Sequence, residues 1–261
     1  MRRISRARAL IVLVLAQLTL APDAGSTPGS AISEPTTMTI HGARDKAGGC
    51  SYTMTLVLQP GERSIDAHEI DEVVATCTIV MEVVASTDPA DESTPPSGYT
   101  AASSTSTVTQ ASSTAPPAAA AAAAYQDSAG YFRTWFTGGG GSGDLLVSVK
   151  DRVAWSWNGS KVGTTFECGD TRVWHSSSGW NETSWDINCT FGNNLSFART
   201  ATKSHYKNGF FCLTIDTDID YNRNRATGKA NGDLVGSVDW SKTGGCTGLI
   251  DVHYHLERTL N

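Results

Sequence analysis

Residues 145–159 read LLVSVKDRVAWSWNG. Leu145, Val147, Val149, Val153, Trp155 and Trp157 recur at every second position, and one polar residue, Asp151, interrupts their row. Side chains two apart on a strand share a face, so the spacing predicts a strand with one apolar face and a bulge or bend at Asp151. Asn158-Gly159 follows. Both residues tolerate positive φ, so the chain is expected to turn there and run back through Lys161 to Cys168.

The same signature recurs downstream. Leu213, Ile215, Ile219 and Tyr221 alternate with Asp216, Asp218, Asp220 and Asn222. Leu234, Val238 and Trp240 share a parity with Gly232 and Gly236, and Ile250, Val252, Tyr254 and Leu256 form a last inward row. Asn208-Gly209 and Asn231-Gly232 repeat the turn signal. Short alternating runs between turn signals, without a strong helical period, predict an all-β fold: an antiparallel β-sandwich or barrel over residues 125–261.

Upstream, the chain divides by composition. Arg2, Arg3, Arg6 and Arg8 precede an apolar run over residues 9–20 and small residues after it. That order predicts a secretory signal peptide over residues 1–24, and the apolar run is shorter than the roughly 20 residues of a membrane span. Residues 35–85 hold two alternating rows, Tyr52, Met54, Leu56, Leu58 and Cys77, Ile79, Met81, Val83, either side of Pro60-Gly61. They are expected to form a small disulfide-bridged β module. Residues 86–124 are rich in Ser, Thr, Ala and Pro and end in an alanine run. Such a stretch buries little apolar surface, so it is expected to be a linker between two independent pieces.

An exported chain with six cysteines is expected to pair them. Neighbour pairing gives Cys50–Cys77, Cys168–Cys189 and Cys212–Cys246. The formal charge of −6 and pI near 5.5 argue against a nucleic-acid or anionic-membrane partner. No membrane span is expected in the mature chain.

A Cys50…Leu58-x-Pro60-Gly61-Glu62…Cys77 unit is followed by Trp155-x-Trp157-Asn158-Gly159, by Tyr221-Asn222-Arg223-Asn224-Arg225 and by Gly244-Gly245-Cys246-Thr247. In these motifs the chain resembles secreted β-rich proteins of actinobacteria, for which no activity is assigned. The resemblance spans both ordered pieces. It implies export and disulfides and supplies no catalytic residue.

Three groups are candidate sites. Asp251, His253, His255 and Glu257 share a strand face, and two imidazoles in His-x-His spacing can chelate one ion. The acids Asp216, Asp218 and Asp220 could complete that shell, so a metal ion is the one cofactor in view. A calcium loop of EF-hand type is excluded, because Tyr221 and Thr227 stand where it needs Gly and Glu. The third group is polar and aromatic: Trp174, His175, Trp180, Asn181 and Trp185, within a serine- and glycine-containing stretch. Exposed rings there would stack on sugars or fill a partner's pocket. The expectation is a secreted, non-catalytic binding or surface-interaction protein whose partner is an extracellular polysaccharide, cell-wall material or protein. A metal-dependent enzyme using His253 and His255, and a purely structural exported protein, are the alternatives.

Overall fold

The computed structural model describes residues 35–45, 48–85, 97–110, 124–138, 143–213 and 215–260. The expected signal peptide lies outside them. The strands are β1 (Thr36–His41), β2 (Ala43–Arg44), β3 (Cys50–Leu58), β4 (Ser64–Val73), β5 (Thr78–Ala85), β6 (Thr100–Thr109) and β7 (Gln126–Gly138). They continue with β8 (Leu145–Trp157), β9 (Thr165–Trp174), β10 (Trp180–Phe191), β11 (Phe197–Cys212), β12 (Ile215–Lys229), β13 (Leu234–Gly244) and β14 (Ile250–Leu260). An eight-stranded sheet runs β1-β5-β4-β14-β7-β8-β9-β6, and a six-stranded sheet runs β10-β11-β12-β13-β3-β2. Every pairing is antiparallel. The two sheets pack face to face as a sandwich, and among the described residues no helix is long and apolar enough to cross a membrane.

The core is the set of inward rows anticipated from period two. Tyr52, Met54 and Leu58 of β3 and Trp240 of the adjacent β13 line one side of the core, and Phe132 and Phe136 of β7 and Tyr254 of β14 the other, all nearly or fully buried. Tyr52 packs 4.6 Å from Trp240, and Trp240 Nε1 donates to Tyr254 Oη at 2.7 Å. The core-facing glycines have a packing role. A Cβ on Gly236 would strike the Phe132 ring, so only the missing side chain lets that ring lie against β13.

The three expected disulfides are present. Cys168–Cys189 joins β9 of one sheet to β10 of the other. Cys50–Cys77 likewise ties β3 to the start of β5. Cys212–Cys246 ties the end of β11 to the turn after β13. With sequence separations of 27, 21 and 34, each contributes on the order of 3 kcal/mol by loop-closure entropy.

Three expectations change. The first is the division into pieces. All of β3 pairs with β13, from Cys50↔Lys242 to Leu58↔Leu234, and β4 pairs with β14 from Ser64 to His68. Residues 35–85 are therefore not a separate module but supply strands to both sheets. Fifty residues cannot bury two apolar rows against each other and also hide their edges, whereas docking on the larger piece does both. Residues 125–261 expressed alone should therefore lose cooperative unfolding and expose apolar surface to a dye such as ANS. A sharp, native-like melt of that fragment would restore the two-domain picture.

The second is the linker. Inside it, β6 pairs with β9 through ten consecutive residues, Thr100↔Trp174 to Thr109↔Thr165. An edge strand needs backbone partners more than apolar side chains, and β-branched threonines favour the extended chain. Residues 86–96 and 111–123 lie outside the described residues.

The third is local parity. Asp151 marks no bulge: β8 keeps register through Phe132↔Asp151 and Asp151↔Asp170, and the carboxylate is fully buried between the sheets. Asn208-Gly209 is not the turn either. It lies within β11, and the buried Asn208 side chain accepts from Phe210 N and Phe211 N while donating to Ser178 O. The chain reverses after Cys212, which leaves Leu213 and Ile215 exposed. On β12 a bulge lies between Tyr221 and Arg223. Asp216, Asp218 and Asp220 lie before it on the outer face. Strict alternation would place Arg223 and Arg225 inward; the extra residue turns them outward and sends Asn224 into the core.

Candidate functional site

The His-x-His row sits at the centre of the eight-stranded sheet, on its outer face. Cross-strand neighbours cover it so well that His255 is 1% exposed. Its Nδ1 bonds to Asp66, its Nε2 lies 2.9 Å from Glu257 Oε2, and Tyr131 Oη donates to the same Glu257 oxygen at 2.6 Å. Burial alone would lower the His255 pKa, but the hydrogen bonds to Asp66 and Glu257 outweigh it and raise the value. His253 stacks on Trp135 at 5.1 Å, and its Nε2 lies 2.9 Å from Thr137 Oγ1. Burial, then the neighbouring His68, lowers its pKa to about 4.

Neighbouring side chains therefore cover this row and occupy its imidazole nitrogens rather than leaving open ligands. Asp216, Asp218 and Asp220 cannot complete it, because they face outward from the other sheet, on the opposite side of the sandwich. They meet Lys207 and His205 instead, with His205 Nε2 3.0 Å from Asp218 and 3.8 Å from Asp220. Among the described residues no group of three or more His, Cys, Asp or Glu is placed to hold a metal ion.

The segment of residues 174–185 is not a single exposed loop. Trp174 ends β9 and packs 6.2 Å from Tyr206. A 3-10 turn, Ser176–Ser178, leads to β10. His175 stacks on Tyr99 at 4.3 Å, and the exposed Asn181 donates to Gly179 O. Trp180 corrects the expectation of a ligand-facing ring: it is 0% exposed and packs 5.6 Å from Phe211. Its position as the first residue of β10 points it between the sheets, where polar flanking residues carry no information about burial.

Trp185 is different, being 51% exposed. One ring face is covered by the Arg172 guanidinium, 3.9 Å from the ring centroid. That guanidinium is itself held in the sandwich. Arg172 Nη1 donates to Glu182 Oε2 at 2.7 Å, and Arg172 Nε lies 2.8 Å from Asp170 Oδ2. The second contact is an ion pair by distance only, since among the described residues neither atom has a hydrogen-bond partner. Glu182 Oε1 accepts from Ser204 Oγ at 2.7 Å and Tyr206 Oη at 3.2 Å, and Asp170 Oδ1 accepts from Ser104 N at 3.0 Å.

A buried polar chain thus crosses from β6 through β9 and β10 to β11, under a half-exposed tryptophan, where the end strands β6 and β10 of the two sheets meet. Deeper in the core, Asp151 accepts from Thr202 Oγ1 and, at 3.1 Å, from Asn224 Nδ2. Burial, with a smaller push from Asp170, raises its pKa to about 8 against the pull of those hydrogen bonds. Chemically the edge offers a rigid aromatic platform with a fixed cation behind it.

Sequence reasoning placed Trp185 among the candidates but missed Asp170, Arg172 and Glu182. One signal was available. In residues 166–174, Phe166, Cys168, Asp170, Arg172 and Trp174 share one parity. An acid and a base inside an apolar row mark a buried ion pair.

No protein-family model, curated protein or solved structure matches the chain. What stands is the class: an all-β, two-sheet protein held by three disulfides.

Proposed function

We propose that the protein is a secreted, non-catalytic binding protein that recognises extracellular or cell-wall polysaccharide through Trp185. The observation that supports this is a large ring with one face backed by Arg172 and half its surface open. Large exposed rings are costly unless used, and a flat, immobilised ring stacks on the apolar face of a sugar. The arginine-rich, apolar N-terminal stretch and the paired cysteines support export.

Trp185→Ala should leave stability within about 1 kcal/mol of wild type, the range of an exposed cation–π contact. It should reduce co-sedimentation with insoluble cellulose, chitin or peptidoglycan about tenfold, and Trp185→Phe should recover part of the loss. Equal sedimentation of Trp185→Ala, or no retention of the wild type by any of the three polymers, refutes the reading.

A further inference from the structure

A second surface lies on the outer face of the six-stranded sheet, away from Trp185's buried support. The registers Thr190↔Arg199, Asn188↔Ala201 and Asp186↔Lys203 join β10 to β11, and Arg199↔Thr227 and Ala201↔Arg225 join β11 to β12. Ala201 is the small residue at the middle of this grid. Longer side chains stand on every side of it, which leaves a groove of about 280 Å³ floored by its methyl group. Four cations line the groove, Arg199, Lys203, Arg223 and Arg225, against one carboxylate, Asp186.

The cations are built in, not scattered. The β12 bulge brings Arg223 and Arg225 to this face, and bulges are enriched where a strand re-aims side chains at a functional surface. Arg225 is tied to Asp239 at 2.5 Å. Among the described residues Arg199, Lys203 and Arg223 make no ion pair. Arg199 is oriented, with Nε donating to Thr227 Oγ1 at 3.0 Å and its guanidinium 4.2 Å over the Phe197 ring. Among the described residues its Nη groups donate to no protein acceptor. Burial, then the guanidinia of Arg225 and Arg223, lowers its pKa, so an anion in the groove would relieve like-charge crowding.

From this grid we infer that the groove binds the repeating oxyanions of an acidic polysaccharide. Arg199 and Lys203 are four residues apart on one strand, a Cα separation of about 13 Å, which is wider than one oxyanion and suited to successive charges on a polymer. Planar guanidinia pair with carboxylate and sulfate through two parallel hydrogen bonds. The whole chain carries a formal charge of −6, so a polyanion is repelled by most of the surface and attracted here. This site does not depend on Trp185.

The test measures retention of the intact chain on heparin, which presents sulfates, and on polygalacturonate, which presents carboxylates, with dextran as the neutral polymer. Wild type should bind at least one polyanion and elute as salt rises, since screening acts within about 10 Å at 0.1 M. The double variant Arg199→Ala/Arg223→Ala should bind at least about tenfold more weakly, because each lost charged hydrogen bond is worth about that factor. Ala201→Leu fills the groove without changing charge and should lose affinity similarly, while Lys161→Ala, outside the groove's lining, should not. Melting curves confirm that each variant is folded.

The inference is overturned if the double variant and Ala201→Leu both bind like wild type, or if Lys161→Ala weakens binding equally. It is also overturned if dextran is held as tightly as the polyanions. Tighter binding of duplex DNA, or an affinity for inorganic sulfate equal to that for the polymers, would likewise remove the acidic polysaccharide as ligand.

Discussion

Arg172→Met should destabilise the protein by about 3–5 kcal/mol, the cost of leaving a buried charge without its partner. Arg172 is 2% exposed and stands between Asp170 and Glu182, both shielded from water. Removing the cation strands two carboxylates in the sandwich. Met keeps an unbranched stem that fills the space up to the Nε position, so the stranded charges rather than lost packing of the stem should dominate the loss. Denaturant unfolding reads the effect as a lower midpoint at unchanged slope. The triple variant Asp170→Asn/Arg172→Met/Glu182→Gln removes all three charges together and should recover most of the loss. A single Arg172→Met variant within about 1 kcal/mol of wild type would show that the guanidinium does not compensate these acids. The same substitution exposes the covered face of Trp185, so a shift in tryptophan emission should accompany it.

Trp180→Ala should cost about 3–5 kcal/mol, as for other fully buried large rings. Trp180 is 0% exposed, and its loss would open a cavity beside Phe211 at the start of β10. Its indole Nε1–H is buried without a hydrogen-bond acceptor among the described residues. Trp180→Phe removes that unsatisfied donor while keeping an aromatic ring, so its cost should be well below that of Ala. The contrast with Trp185 is the useful measurement. Alanine at 180 should lower stability and spare polysaccharide binding per folded molecule; alanine at 185 should do the reverse. If Trp180→Ala costs less than about 1 kcal/mol, the ring is not core.

These predictions share a reason. Both rings come from one polar stretch, and nothing in their flanking residues separates them. Trp180 begins a strand on its inward parity; Trp185 follows a bulge between Glu182 and Ser184 and sits at the edge strand, where no third sheet covers it.

The sequence by itself determined the all-β class, the inward rows of β3, β5, β13 and β14 and the hairpin at Asn158-Gly159. The disulfide partners were also legible there. Alternation and turn chemistry are local, and each cysteine pairs with its neighbour in sequence, at separations of 27, 21 and 34. Tertiary structure alone decided the rest. Whether Asp151 marked a bulge or a buried acid depended on Thr202 and Asn224 across the sandwich. Whether His253 and His255 were open ligands depended on Asp66, Trp135, Thr137 and Tyr131 from β4 and β7. Whether Arg223 and Arg225 faced the core or the groove depended on one extra residue in β12. A period of two reports which side chains share a face, but not what lies opposite that face. Burial, charge pairing and groove shape are properties of the opposing surface, and that surface comes from strands far away in the chain.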